Sequence, residues 1–170
     1  TDASTTITQF NQPTPGASNN TSTPFNSYAA APMFSVISGI YTAPISVSIF
    51  DLNLPASTIY YTLDGSEPDT ASILWTGNDI VVSQSTLLRA RAYLDDYIPS
   101  TITSASYLFN VNHTTPILSV ISDSVNLFGP TGMFDNPTLD LLKAASVDYF
   151  DSTPDHNLLF SRKVGIIMDG

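Results

Sequence analysis

Cysteine is missing from this chain altogether. Without it there is no disulfide framework, no thiolate nucleophile and no zinc-finger ligand spacing. Charge is also scarce: Asp, Glu, Lys and Arg make up 12% of the residues, about half the share usual in globular domains. Bases are scarcest, 5 against 15 acids, for a net charge of -10. That balance repels phosphate backbones, so nucleic acid is not expected as a partner. Glutamate occurs only as Glu67, and the remaining acid is Asp, a residue of turns, caps and calcium shells rather than helix interiors. Long apolar runs are missing too. The most hydrophobic window, Tyr28 to Tyr41, is too short to cross a bilayer and is broken by Pro32. No transmembrane segment is expected.

What is present is apolar residues, 42% of the chain, and Ser and Thr, roughly a quarter of it. Hydroxyls solvate a surface without the long flexible charges that cytosolic proteins favour, so the chain reads as extracellular or cell-surface. The absence of disulfides in that setting points to a bacterial or archaeal source. At 170 residues the chain can bury one core, or one core and the start of another. It opens at Thr1 with no signal peptide and reads as a mature or excised piece of something longer.

Residues 1–31 show no sustained period and read as an extended arm or linker. Within it, Thr5–Phe10 is a short strand and 11–20 a run rich in Pro, Gly and Asn. From 32 to 110 the signals are all strand: Phe34–Ile37, Ile45–Phe50, Ile59–Leu63, Ile80–Val82, Thr86–Leu94 and Thr103–Phe109. Alternation places Ile59, Tyr61 and Leu63 on one face, and Leu88, Ala90, Ala92 and Leu94 inward, with Arg89, Arg91 and Tyr93 outward. Asp64-Gly65 supplies the positive φ angles of a tight reversal, and Pro68 keeps the ladder from resuming. Several short strands with turns between them predict an all-β sandwich of the immunoglobulin or fibronectin III kind. Residues 111–170 add a further short β segment: a strand over 116–122, a helical turn at 124–128, and two antiparallel strands over 144–150 and 158–168. The span 138–145 reads as strand or short helix.

The string Ile59-Tyr60-Tyr61-Thr62-Leu63-Asp64-Gly65-Ser66-Glu67-Pro68, with Gly39-Ile40-Tyr41 before it and Leu87 to Tyr93 after it, resembles the fibronectin III-like C-terminal domain of chitobiase and β-hexosaminidase. That resemblance covers residues 33–109. It implies an accessory module of secreted carbohydrate-active or surface proteins, not a catalytic domain. Pro116 to Val120, Asn126-Leu127-Phe128, Gly132-Met133-Phe134, Ser146 to Asp151 and Gly165 to Gly170 resemble the opening of the spore-coat-protein-H-like (CotH) kinase family. The chain departs from that family at Asp148, Ile167 and Asp169, and stops at Gly170 before the family's catalytic residues. Residues 14–19 resemble the end of a bacterial lamin-tail domain.

Catalytic constellations are not found: no Gly-x-Ser-x-Gly, no His-Glu-x-x-His and no phosphate-cradling glycine loop. His113 and His156 read as solvated loop residues, and Asp148 and Asp151 as surface acids at a strand end. The chain is not expected to be an enzyme. Carbohydrate binding is the sharper idea, because sugar rings stack on exposed aromatics beside Asp or Asn acceptors. Trp75, Tyr60, Tyr93 and Asn78 are the candidates, with core packing the competing role of Trp75. Asp64, Glu67, Asp69 and Asp79 offer oxygen ligands that would suit calcium, although turn chemistry accounts for Asp64 and Asp69 without a cofactor. Arg89 and Arg91 are expected to pair with surface acids. Thr70, Ser124 and Ser152 follow Asp in triplets that resemble the Bacteroidetes O-glycosylation signal. The expected function is a non-catalytic accessory or adhesive β-sandwich module whose partners are neighbouring domains and polysaccharide. The alternatives are a structural subunit of an extracellular fibre, pairing with copies of itself, and a fragment of a CotH-like kinase.

Overall fold

The computed structural model describes residues 24–25, 27–53, 56–137 and 142–168. The expected strand at 5–10, the Pro/Gly/Asn-rich run, the lamin-tail-like string and residues 138–141 lie outside the described residues. In chain order the elements are β1 (Met33–Phe34), β2 (Gly39–Tyr41), β3 (Ile45–Val47), β4 (Ile49–Phe50), β5 (Thr58–Thr62), β6 (Ile73–Leu74), β7 (Ile80–Val82), β8 (Thr86–Tyr93), β9 (Thr103–Phe109), β10 (Ile117–Ile121), α1 (Ser124–Leu127), β11 (Lys143–Phe150) and β12 (Leu158–Ile166).

The period-two pattern makes an all-β sandwich. One layer is a five-stranded sheet in the order β2-β9-β8-β5-β6, antiparallel except where β2 runs parallel to β9. The facing layer is built on β3 and β4, an extended run interrupted at Ser48. There β3 pairs with β7 and β4 with β1. Side chains from both layers meet in one core: Val47, Ile49, Ile80 and Val82 from one, and Ile59, Leu88, Ala90, Ala92, Ala105, Tyr107 and Phe109 from the other. Tyr107 is fully buried, and its hydroxyl donates to the Val36 carbonyl at 2.8 Å. Burial drives its pKa up, with the neighbouring Tyr41 and Asp148 adding to the effect.

The additional β segment is a three-stranded antiparallel sheet, β10-β11-β12. Asp123 caps α1 after β10 by accepting the Val125 N–H. This sheet lies against the outer face of the sandwich. Asp148, 1% exposed, accepts the Ser106 N–H at 3.2 Å, and the Ser119 and Ser106 hydroxyls bond at 2.8 Å.

That docking corrects several expectations. Arg89 does not face solvent: it is 8% exposed beneath the second sheet, and its Nη1 donates to the Gly65 carbonyl at 2.8 Å. Asp148 is buried rather than a surface acid. His156 is buried in the turn after β11, where its Nδ1 lies 2.7 Å from the Asp151 carbonyl and its Nε2 2.9 Å from the His113 carbonyl. Leu63 sits beyond the end of β5 and is exposed, while Thr62 is buried on the outer face opposite Arg89 and donates to the Ser66 carbonyl.

Asp64-Gly65 does not form a two-residue hairpin. Only Gly65 adopts positive φ (83°), and the chain runs on beside β8 before returning as β6. The physical reason is that Asp64 bonds forward to the Ser66 N–H and hydroxyl, while the Gly65 N–H donates to the Leu87 carbonyl.

Candidate functional site

The Asp64 turn lies along a recess of ≈450 Å³ between the end of β5 and the segment leading to β6. Tyr61, Leu63, Asp64 and Ile73 line it. Its serine and threonine hydroxyls are committed: Ser66 donates to Asp64, Ser72 to Asp69 and Thr62 to a carbonyl. The Ser66 hydrogen bonds hold the Asp64 carboxyl below its ordinary pKa, and the Ala71 N–H followed by the Ser72 hydroxyl does the same for Asp69. These two acids therefore build the turn.

The second candidate surface is the open end of the outer face. Ile59 points into the core, so Tyr60 points out, and it lies between Leu74 on β6 and Arg91 on β8. Tyr93, diagonal to it, meets the Tyr60 ring edge-on with centroids 5.6 Å apart. The Arg91 guanidinium carbon lies 5.9 Å from the Tyr93 ring centroid and its Nη1 pairs with Glu67 at 2.9 Å. The Tyr93 hydroxyl donates to the Pro68 carbonyl at 3.2 Å. The result is a half-exposed aromatic strip with one cation and one carboxylate at its edge. Such a strip can cover the apolar face of a sugar ring and hydrogen-bond its hydroxyls.

Trp75 and Asn78 do not join this strip. Trp75 packs against the core from the other side of the sheet, and its Nε1 donates to the Asn78 carbonyl at 3.0 Å. The Asn78 side chain bonds to Thr76. Core packing, the competing role of Trp75, is the one its position fits. Asp79 accepts from the Ser46 and Ser48 hydroxyls at 2.9 and 2.5 Å, and those bonds hold its carboxyl below the usual range.

The four acids considered for calcium thus serve four different partners. No group of three or more potential metal-ligating side chains occurs among the described residues. Thr70, Ser124 and Ser152 are all exposed, as modification would require.

The sequence pattern pairs Tyr60 with Tyr93 but does not reveal Leu74 or the bridging position of Arg91. The cross-strand register places them together, and alternation along a single strand carries no trace of it.

Residues 47–107, about a third of the chain, match the family model described as Fn3 associated. The matched span runs from β3 through most of β9 and is consistent with a fibronectin III-associated module. Such a module suggests neighbouring domains in a larger chain. No curated protein matches the sequence. None of the described helices is long and apolar enough to cross a membrane.

Proposed function

We propose that the chain is a non-catalytic accessory module of a larger secreted or surface-attached protein, a spacer that also makes weak contact with polysaccharide. The observation that carries this reading is the division of the outer face of the five-stranded sheet. One end is occupied by the second sheet through Asp148 and Ser119, and the other presents Tyr60 and Tyr93. Occupation of one end fits a fixed connection to a neighbouring domain, and the aromatic strip fits a shallow contact with a flat sugar ring.

The test is retention of the full chain on insoluble chitin and cellulose, compared with Tyr60→Ala. Retention that the substitution abolishes is the expected result. Equal passage of both proteins through the column would sink the glycan contact and leave a spacer alone.

The fibre-subunit reading draws on β12, an edge strand among the described residues whose own residues are mostly exposed. An edge of that length invites strand addition, but Arg162 and Lys163 sit on it, and edge charges blunt such pairing. A mass measurement across a concentration series separates these readings, since a fibre subunit grows with concentration. A CotH-like kinase as the parent is a third reading. It draws on β10, β11 and β12 falling over the strings that resemble that family. A kinase-like continuation beyond Gly170 is its test.

A further inference from the structure

The chain has 5 bases, yet Arg89, Arg91, Arg162 and Lys163 line two adjoining recesses between the five-stranded and three-stranded sheets. The recesses, ≈260 and ≈230 Å³, share Ser146 and Lys163. Register explains the gathering. Arg89 stands opposite Ser104 across β8 and β9, and Ser146 opposite Lys163 across β11 and β12, so each sheet brings one cation and one hydroxyl.

Two polar atoms here lack partners among the described residues. The Nε of Arg89, a side chain more than nine-tenths buried, and the Oγ of Ser104 are both inaccessible to water and unbonded. Buried polar groups are rarely left so, because each forfeits its hydration without a replacement. Burial holds Arg89 below its ordinary pKa. The charges of Glu67 and Asp123 oppose that shift without cancelling it, and burial followed by the charge of Arg89 lowers Lys163 as well. The acids around them do not fill the gap. Glu67 pairs with Arg91, Asp123 caps α1 and accepts the Glu67 N–H, and Asp148 accepts the Ser106 N–H. The ion pair of Arg91 with Glu67 is the only salt bridge among the described residues.

We infer that this cleft binds the carboxylate or sulfate of an acidic glycan. The anion's oxygens accept from Lys163 Nζ and the Ser146 hydroxyl, which line both recesses, and its charge lies against the buried Arg89 behind them. Arg91 joins the cleft to the aromatic strip, since it lines one and lies beside Tyr60 and Tyr93 in the other. A sugar ring over Tyr60 would therefore have its acidic substituent, or that of the next residue, directed to the cations. The glycan source rests on the function proposed above; the anion site does not.

The experiment tracks the arginine Nε–H resonances of the full chain by nitrogen-correlated NMR. Titrants are sodium sulfate, sodium glucuronate, an oligouronate and a neutral glucose oligomer, each against sodium chloride at matched ionic strength. The Arg89 resonance is expected to move saturably with sulfate and glucuronate but not with chloride. The oligouronate should bind about tenfold more tightly than the neutral oligomer, and Lys163→Gln should weaken anion binding by about tenfold without changing the melting temperature. An Arg89 resonance that stays fixed, or responds to chloride equally, overturns the anion site even if neutral glycans are retained through Tyr60. Saturable sulfate binding with no gain from the oligouronate overturns the assignment to an acidic glycan.

Discussion

Asp148 is one of the residues that join the two sheets. Its carboxylate is almost wholly removed from water and accepts the Ser106 N–H. Asp148→Ala leaves that donor to its other acceptor, the Ser38 hydroxyl at 3.0 Å, and opens space, and should cost about 1–2 kcal/mol, read as a fall in denaturant midpoint. Gly65 is constrained differently. It holds φ at +83°, and a Cβ there would lie 3.2 Å from the Leu87 side chain and 3.5 Å from Ile121. Gly65→Ala should therefore destabilise by roughly 1–2 kcal/mol from left-handed backbone strain and crowding. The turn aspartates give the molecule its acid sensitivity. At Asp51, burial opposes ionisation, but hydrogen bonds from Asn53 and Ser57 outweigh it and the pKa is lowered. Asp64, Asp69, Asp79 and Asp151 are lowered too. Because their folded-state pKa values lie below the unfolded ones, the unfolded chain binds more protons in acid. The stabilisation is present above the unfolded value of about 4 and is lost as pH falls through the folded values. A melting temperature flat from pH 7 to 5 and declining below about 4 is expected, and Asp51→Asn should lessen the decline.

At the scale of elements, β8 and β9 form the centre of the five-stranded sheet and carry most of its fully buried residues, while β1 and β6 are two-residue edges. Amide hydrogen exchange should be slowest at Leu88–Ala92 and Ala105–Tyr107 and fastest at Met33–Phe34 and Ile73–Leu74. Those central strands are also the most legible in the sequence. The run Thr86–Leu94 declares its period, and β9 falls over the predicted residues 103–109. Legibility fails at Arg89, Asp148 and His156, three polar residues that look solvated because polar faces usually are. Alternation tells which face of a strand is apolar, but it does not tell whether the polar face is later covered by residues far along the chain. The same limit applies to the candidate site. Tyr60 and Tyr93 can be named from one strand each, whereas Arg91 and Lys163 acquire their meaning only when β5, β8 and β12 have been placed.

For the whole molecule, the joint between the two sheets decides how the chain behaves in solution. It is made of several small contacts. Gly65 lies against Ile121, the Glu67 N–H donates to Asp123, Ser106 bonds to Ser119 and Asp148, and His156 holds the His113 carbonyl. The Asp64-Gly65-Ser66 segment belongs to that joint as much as to the sandwich. Backbone relaxation should report one tumbling time for β8, β9, β11 and β12. Two distinct times would show that the second sheet moves independently.

The parallel pairing of β2 with β9 has a mechanical consequence. When a tether pulls the chain from beyond β2 at one end and beyond β9 at the other, the load runs along both strands in opposite senses. The hydrogen bonds joining Gly39–Tyr41 to Tyr107–Phe109 then resist together in shear instead of opening one after another. The sandwich would bear tension between whatever it joins, and Tyr41→Pro, which removes a donor from that short ladder, should lower its rupture force in single-molecule pulling.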